Sequence, residues 1–355
     1  MNGVFTYSNP RVIHWGAGSL QHLGSELSRL QAHRIAVVTT RSLVAEERLI
    51  ERICAAIGQD TARAEAVVTV TVGQHAPLAQ VDAALKECVS ADVDGLVSFG
   101  GGSAIDTAKM IAVRLVDHHG HAGHALPHIA IPTTLSAAEL AAGAGYTNED
   151  GDKAGMRDPR LLAEGVIYDA ELTLATPMLL WLSTGIRALD HAVEGFLAGG
   201  EHPFSDVMAL EAIRRLFDSL PRAQAEPNDV GIRTENQLAA WFSFTLPGAS
   251  AGGLSHVMGK QIGARHGIPH GVTSCLLLPH VMRYLAGRKP ERMAALAGAM
   301  GADPADAVQG LIRSLGMPQH IAAYGLGEPE LRRAAAELSR DQSERDLLEI
   351  YLSAI

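Results

Sequence analysis

The stretch Ser98-Phe99-Gly100-Gly101-Gly102-Ser103 carries the clearest chemical pattern in the 355-residue chain. Three consecutive glycines let a backbone turn tightly and approach a ligand without Cβ clashes. A helix-forming run over 104–113 follows at once, so its free N–H groups and positive dipole end would suit a pyrophosphate. Asp106 and Lys109 lie on that run at i, i+3 spacing. A plain strand-to-helix turn shares this composition, and the run is not GxGxxG, so the common dinucleotide fingerprint is absent. A second stretch places His118, His119, His121, His124 and His128 within 11 positions, enough imidazoles for a transition metal. It contains glycine, joins a helix to a strand and lacks regular ligand spacing, so it reads as a solvated connecting loop.

The glycines need a strand before them and a helix after them, and the first half of the chain supplies both repeatedly. Residues 34–40, 66–72, 95–99, 129–132 and 165–168 read as buried strands, with helices over 49–57 and 81–89 between them. This alternation predicts βαβ units and a mainly parallel sheet. After residue 172 the pattern turns to Ala-rich helical periodicity, as over 207–217, 291–300 and 330–338. The expected architecture is an α/β domain over 1–172 and an all-α domain over 173–355.

Composition removes several function classes. Twenty-nine Lys+Arg against 39 Asp+Glu give a net charge of −10, and no basic block appears, so a nucleic-acid partner is disfavoured. Cys54, Cys88 and Cys275 form no CxxC and no even set, which fits a reducing compartment. Cys275 opens an apolar run and reads as core. No signal-peptide pattern and no apolar run of about 18 residues is present, so a cytoplasmic protein without a membrane span is expected.

The order of motifs is specific. Gly16-Ala17-Gly18-Ser19-Leu20 is followed by GGGSxxDxxK over 100–109, then Pro132-Thr133-Thr134. Arg187-Ala188-Leu189-Asp190-His191-Ala192-Val193-Glu194 comes next, and finally His256 and Pro269-His270-Gly271. The succession resembles the iron-containing (group III) alcohol dehydrogenase family over essentially the whole chain, and within it the maleylacetate reductases. The short stretch Thr134-Leu135-Ser136-Ala137-Ala138-Glu139 and the run Gly151-Asp152-Lys153 also resemble that subgroup. The resemblance implies a dinucleotide-binding α/β domain, a helical domain of dehydroquinate synthase-like type, NADH or NADPH with substrate in a cleft, and a homodimer. Gly100, Gly101, Gly102, Ser103 and Asp106 would then hold the pyrophosphate, with Thr133 and Thr134 beside the nicotinamide. Many NAD-preferring relatives end the second strand in Asp; here Thr40 and Arg41 stand there, so a 2′-phosphate is tolerated and use of both cofactors is expected. His75 corresponds to a histidine of maleylacetate reductases at a strand–loop junction.

Metal-dependent relatives bind iron or zinc with Asp and His at i, i+4 on one helix and two further His. The matching positions here are Arg187 and His191, with His256 and His270. A guanidinium cannot ligate a cation and stays charged, so a metal-free site is favoured. Three imidazoles alone can still hold a metal, which leaves an iron or zinc alcohol dehydrogenase as the alternative. Asp190 and Glu194 read as supporting or surface groups of the same helix. Lys260, four residues after His256, is a candidate anchor or proton donor. Together these residues predict an NAD(P)H-dependent reductase of a small anionic oxo-acid, maleylacetate being the best candidate. His191, His256 and His270 would stabilise the enolate, and Arg187 with Lys260 would bind carboxylate. Arg187 argues against a zinc-dependent dehydroquinate synthase, and the histidine triplet against a non-enzymatic dinucleotide binder.

Overall fold

A computed structural model describes residues 10–59, 64–118, 124–198, 202–244, 253–263, 265–339 and 343–355. They form two compact units, one within Tyr7–Pro177 and Asn228–Gln237, the other within Met178–Pro227 and Leu238–Ile355. The first unit runs on past residue 172 because a short helical turn, Ala170–Thr173, and a bond from Thr176 Oγ1 to the Thr133 carbonyl (2.8 Å) tie those residues to the sheet.

In the first unit, eight strands alternate with helices: β1 Val12–Trp15, α1 Leu23–Arg29, β2 Arg34–Thr40, α2 Arg41–Val44, α3 Glu47–Ile57, β3 Glu65–Val72, α4 Leu78–Ser90, β4 Gly95–Gly100, α5 Gly102–His118, β5 His128–Pro132, β6 Gly143–Thr147, β7 Lys153–Arg157 and β8 Gly165–Tyr168. Six of them pair parallel in the order β1-β8-β5-β4-β2-β3, while β6 and β7 form a separate antiparallel hairpin. The strand sequences explain why helices cover both faces. Along β2, Ile35 and Val37 enter one core cluster with Leu23, Ile53 and Ile57. Ala36 and Val38 point the other way, into a cluster with Ala84, Ala108 and Ile111. Period-two alternation between two apolar layers is what a parallel strand buried on both faces requires.

The second unit is helical, and no strand follows Tyr168 among the described residues. Its helices are α6 Met178–Ala198, α7 Pro203–Ala225, α9 Leu254–Gly263, α10 His270–Ala286, α11 Pro290–Met300, α12 Pro304–Ser314, α13 Glu328–Leu338 and α14 Glu344–Ser353; α8, Val230–Ser243, belongs partly to each unit. The middle of the unit is α10, buried from Gly271 through Pro279 and packed by α6, α9, α12 and α14. A helix apolar all round has to sit inside its domain. Two glycines permit the close crossings. A Cβ on Gly271 would lie 2.7 Å from the Ser183 backbone of α6, and one on Gly259 of α9 would lie 2.7 Å from Thr273 Oγ1.

Candidate active site

The glycine loop sits at the point where the sheet reverses direction. From β2 the chain leads outward to β3, and from β4 it leads the opposite way to β5, so the carboxyl ends of β2 and β4 flank a crevice. Open α/β sheets bind ligands at such switch points. Thr40 and Arg41 stand at the end of β2, and Gly100, Gly101, Gly102 and Ser103 at the end of β4. Gly100 has φ +149°, a conformation that disfavours a side chain. A Cβ on Gly101 would sit 3.0 Å from Thr134 Cγ2, and one on Gly102 3.4 Å from Ser136 Oγ, so the wall of the loop after β5 fits against bare backbone. The Thr133 N–H donates to the Gly100 carbonyl (3.0 Å), locking the two loops together. Ser103 Oγ accepts the His75 N–H at 2.9 Å, and His75 and Ala76 both adopt positive φ to make that turn. Burial and Lys153 lower the His75 pKa. The cradle suits a pyrophosphate and its nicotinamide cofactor.

Asp106 looks elsewhere. Its carboxylate accepts the Gly145 N–H of β6 at 2.9 Å and lies 3.7 Å from Lys109 Nζ, so it braces the hairpin instead of facing the glycines. Lys109 is fully buried and donates to the carbonyls of Ala141 (2.8 Å), Gly143 (2.9 Å) and Ala138. An ammonium has three donors, and three carbonyls use all of them. Lys109 therefore clamps the segment that carries Thr134 and Ser136 towards the glycine loop. The buried Glu139 accepts Tyr168 Oη–H at 2.7 Å beneath the same segment. Sequence reading left these contacts unseen, although a lysine in an otherwise apolar helix was a signal that it must be paired.

Of the histidine-rich segment, residues 119–123 lie outside the described residues. His124 is exposed, and His128 is buried in β5, hydrogen-bonded to Ser98 Oγ at 2.8 Å. Burial, with Lys109 nearby, pushes its pKa down to about 3. His128 is a neutral core residue. Cys54, Cys88 and Cys275 are free thiols; burial raises the Cys88 pKa to about 12 and that of the buried Cys275 further still.

In the helical unit, α6, α9 and α10 bring the three matched histidines together. The ring centroids of His191 and His256 are 6.2 Å apart, and those of His256 and His270 5.1 Å apart, edge to face. Phe244 packs edge-on against His191 at 5.1 Å. Burial and then Arg187 push the His191 pKa well down, so its imidazole is neutral. Lys260 lies half-buried in the last turn of α9.

Arg187 departs from its expected placement. The side chain is 2% exposed and its guanidinium points into the protein. Nη1 donates to Asp190 Oδ2 (3.0 Å) and Ser274 Oγ (2.9 Å), and Nη2 donates to His256 Nε2 (3.2 Å). Ser255 and Ser274 hydroxyls add further bonds to Asp190 Oδ2, at 3.1 and 2.6 Å. A guanidinium held this way has no solvent-facing edge for a substrate carboxylate. The anchoring role expected of Arg187 gives way to a role behind His256.

Asp190 and Glu194 are buried, not surface groups. Glu194 accepts the Ser255 N–H (2.5 Å) and the His256 N–H (3.2 Å), capping the first turn of α9. A Cβ on Gly253 would press on the Glu194 carboxyl group, so a side chain there would oblige Glu194 or the start of α9 to shift. Burial and then Asp190 raise the Glu194 pKa well above the usual carboxylate range. Charges inside the apolar stretch Ile186–Leu197 could have announced this from the sequence, because such a helix face has no water to solvate them.

The resemblance implies iron, and this donor set does not suit it. Arg187 puts a fixed positive charge one turn from His191 and consumes the Nε2 lone pair of His256. Among the described residues, no group of three or more His, Cys, Asp and Glu is arranged to hold a metal ion.

Comparison with known proteins agrees with this architecture. The profile described as "Iron-containing alcohol dehydrogenase" matches residues 10–170, and "Fe-containing alcohol dehydrogenase family, C-terminal" matches 181–346. A maleylacetate reductase of Pseudomonas sp. (strain P51) is 34% identical over 94% of this chain and 90% of its own length. The crystal structure of maleylacetate reductase from Agrobacterium tumefaciens superposes with a TM-score of 0.86 at 29% identity, covering 100% of this chain and 98% of that one. A 1,3-propanediol oxidoreductase structure gives 0.89 at 25% identity over 99% and 100%. The paired domain profiles, the similarity over nearly the full length and the glycine and histidine motifs together show that this chain is an oxidoreductase using a nicotinamide cofactor and belongs to the iron-containing alcohol dehydrogenase family, in its maleylacetate reductase-like subgroup.

Proposed function

We infer that the enzyme is an NAD(P)H-dependent reductase of a small anionic oxo-acid, with maleylacetate reduced to 3-oxoadipate, and that it works without a bound metal. The observation that carries this reading is Arg187, a buried cation hydrogen-bonded to His256 where metal-binding relatives place a carboxylate. The maleylacetate reductase relatives support the substrate class.

The bound nicotinamide supplies a hydride, which adds to the C=C conjugated with the 4-oxo group; a proton then completes the saturated product. Negative charge builds on the oxo oxygen as the hydride arrives, and a preorganised N–H donor there lowers the barrier. The histidine cluster offers such donors, and neutral imidazole suffices for the task. Lys260, one turn after His256 on α9, is the candidate partner for a substrate carboxylate. The second reading is an iron- or zinc-dependent alcohol dehydrogenase acting on simple aldehydes, in which His191, His256 and His270 would be the ligands and Arg187 would have to release His256.

A substrate panel following cofactor oxidation separates the two. Maleylacetate is expected to turn over far faster than neutral aldehydes. Thr40 and Arg41 put no carboxylate at the end of β2 to repel a 2′-phosphate, so the KM for NADPH should stay within about a hundredfold of that for NADH, equivalent to ~2.7 kcal/mol of discrimination. Preference for neutral aldehydes would overturn the substrate reading, and a larger NADPH penalty would overturn the cofactor reading.

A further inference from the structure

The hydrogen bonding of Arg187 fixes which nitrogen of the His256 ring carries the proton. Arginine carries donors only, so in the bond between Arg187 Nη2 and His256 Nε2 (3.2 Å) the ring nitrogen must be the acceptor. The single proton of the neutral ring then sits on Nδ1. That Nδ1 is buried and has no hydrogen-bond partner among the described residues. Buried N–H groups are almost always paired, so one that is not calls for an explanation such as a catalytic role or a water. The guanidinium cannot swing away to release the ring, because Asp190 and Ser274 hold its other end and Ser255 fixes Asp190 in turn. Glu194 fixes the other side of the arrangement, seating the backbone of His256.

We propose that Arg187 is a positioning residue that locks His256 in its Nδ1–H tautomer, and that this N–H is the donor that meets the developing oxyanion of the substrate. This rests on the reductase reading above. The relay runs from Asp190 through Arg187 and the imidazole to the substrate oxygen. It moves no proton along its length. The fixed cation polarises the ring, and the ring donates a hydrogen bond whose strength grows as charge builds on oxygen. In this arrangement the arginine supplies, through an imidazole, the positive charge that a metal supplies directly in iron-dependent relatives.

The direct test is the nitrogen NMR spectrum of the full-length wild-type enzyme labelled with ¹⁵N-histidine, with His256 assigned by its loss in His256→Ala. A protonated Nδ1 and an unprotonated Nε2 are expected. A proton on Nε2 overturns the proposal, whatever the substrate proves to be. Kinetics supply the second arm, using the best substrate of the panel. Arg187→Met combined with Asp190→Asn removes both partners of the buried Arg187–Asp190 ion pair together, so neither partner of that pair is left alone. It should lower kcat by about a hundredfold, leave KM within about threefold, and let the His256 tautomers interconvert. Arg187→Lys, which keeps the positive charge and an N–H donor for His256, should recover a large part of kcat. A variant that raises KM with kcat intact would make Arg187 a substrate anchor and refute the relay. Failure of maleylacetate to react, with the Nδ1–H tautomer intact, would count against the substrate reading alone.

Discussion

Arg187→Asp is expected to turn this protein into a metal binder. The substitution places a carboxylate at i, i+4 from His191 on α6, so both side chains share one helix face. It also frees the Nε2 lone pair of His256, now used by the guanidinium. His270, edge-on to His256 at 5.1 Å, completes a set of one carboxylate and three imidazoles, a donor combination suited to zinc or iron. Without metal the variant leaves Asp190 and Glu194 buried beside a third carboxylate. Breaking a buried ion pair in this way costs about 3–5 kcal/mol. Added zinc should therefore raise the melting temperature of Arg187→Asp and be retained through gel filtration, while the wild type and Arg187→Asn show neither effect. On the proposed reading, oxo-acid reduction should fall in the same variant, because His256 loses its bond from Arg187. An Arg187→Asp protein that folds yet holds no metal would show that the arginine is not what keeps a cation out.

Gly253→Ala is expected to cost activity out of proportion to its size. The added methyl would press on the Glu194 carboxyl group, and Glu194 is wedged under the first turn of α9 by its bonds to Ser255 and His256. Either Glu194 or the helix start has to move. Overpacking of this kind costs about 1–3 kcal/mol of stability. The larger consequence falls on His256, since misplacing a reacting group by about 1 Å can lower the rate by about a hundredfold. Steady-state kinetics on the purified variant should show a kcat loss of that order with cofactor KM nearly unchanged. Wild-type kcat in Gly253→Ala would mean that the Glu194 cap does not position the histidine.

The parts of the fold that were legible in the sequence are those whose residues report their own burial. Strand β2, Arg34–Thr40, is legible at its full bounds because a strand covered on both faces is a near-continuous apolar run with clear ends. The hairpin of β6 and β7 went unread: GAGYT and KAGMR hold no β-branched residue apart from Thr147, and they are fastened by Asp106 and Lys109 from another element. Helix α7 extends to Pro203–Ala225, well beyond the apolar run over 207–217, because His202 caps it, Pro203 suits its first position and its ends are polar. In the site, the histidines and the glycine loop were carried by motif order. The burial of Arg187 and its bond to His256 were not, since the partners lie 69 residues apart on separate helices and a sequence shows the charge without its direction. The expectation of Arg187 as a substrate anchor follows from its charge; its guanidinium is turned inward onto Asp190, Ser274 and His256.

The central claim is that a buried arginine stands in for the metal, and chelation tests it most directly. The enzyme should be purified without chelator, assayed with its best oxo-acid substrate, then treated with EDTA and desalted, with metal content measured before and after. Metal far below stoichiometric at the outset and an unchanged rate after treatment are predicted. A stoichiometric metal whose removal abolishes turnover, and whose return restores it, would contradict the account.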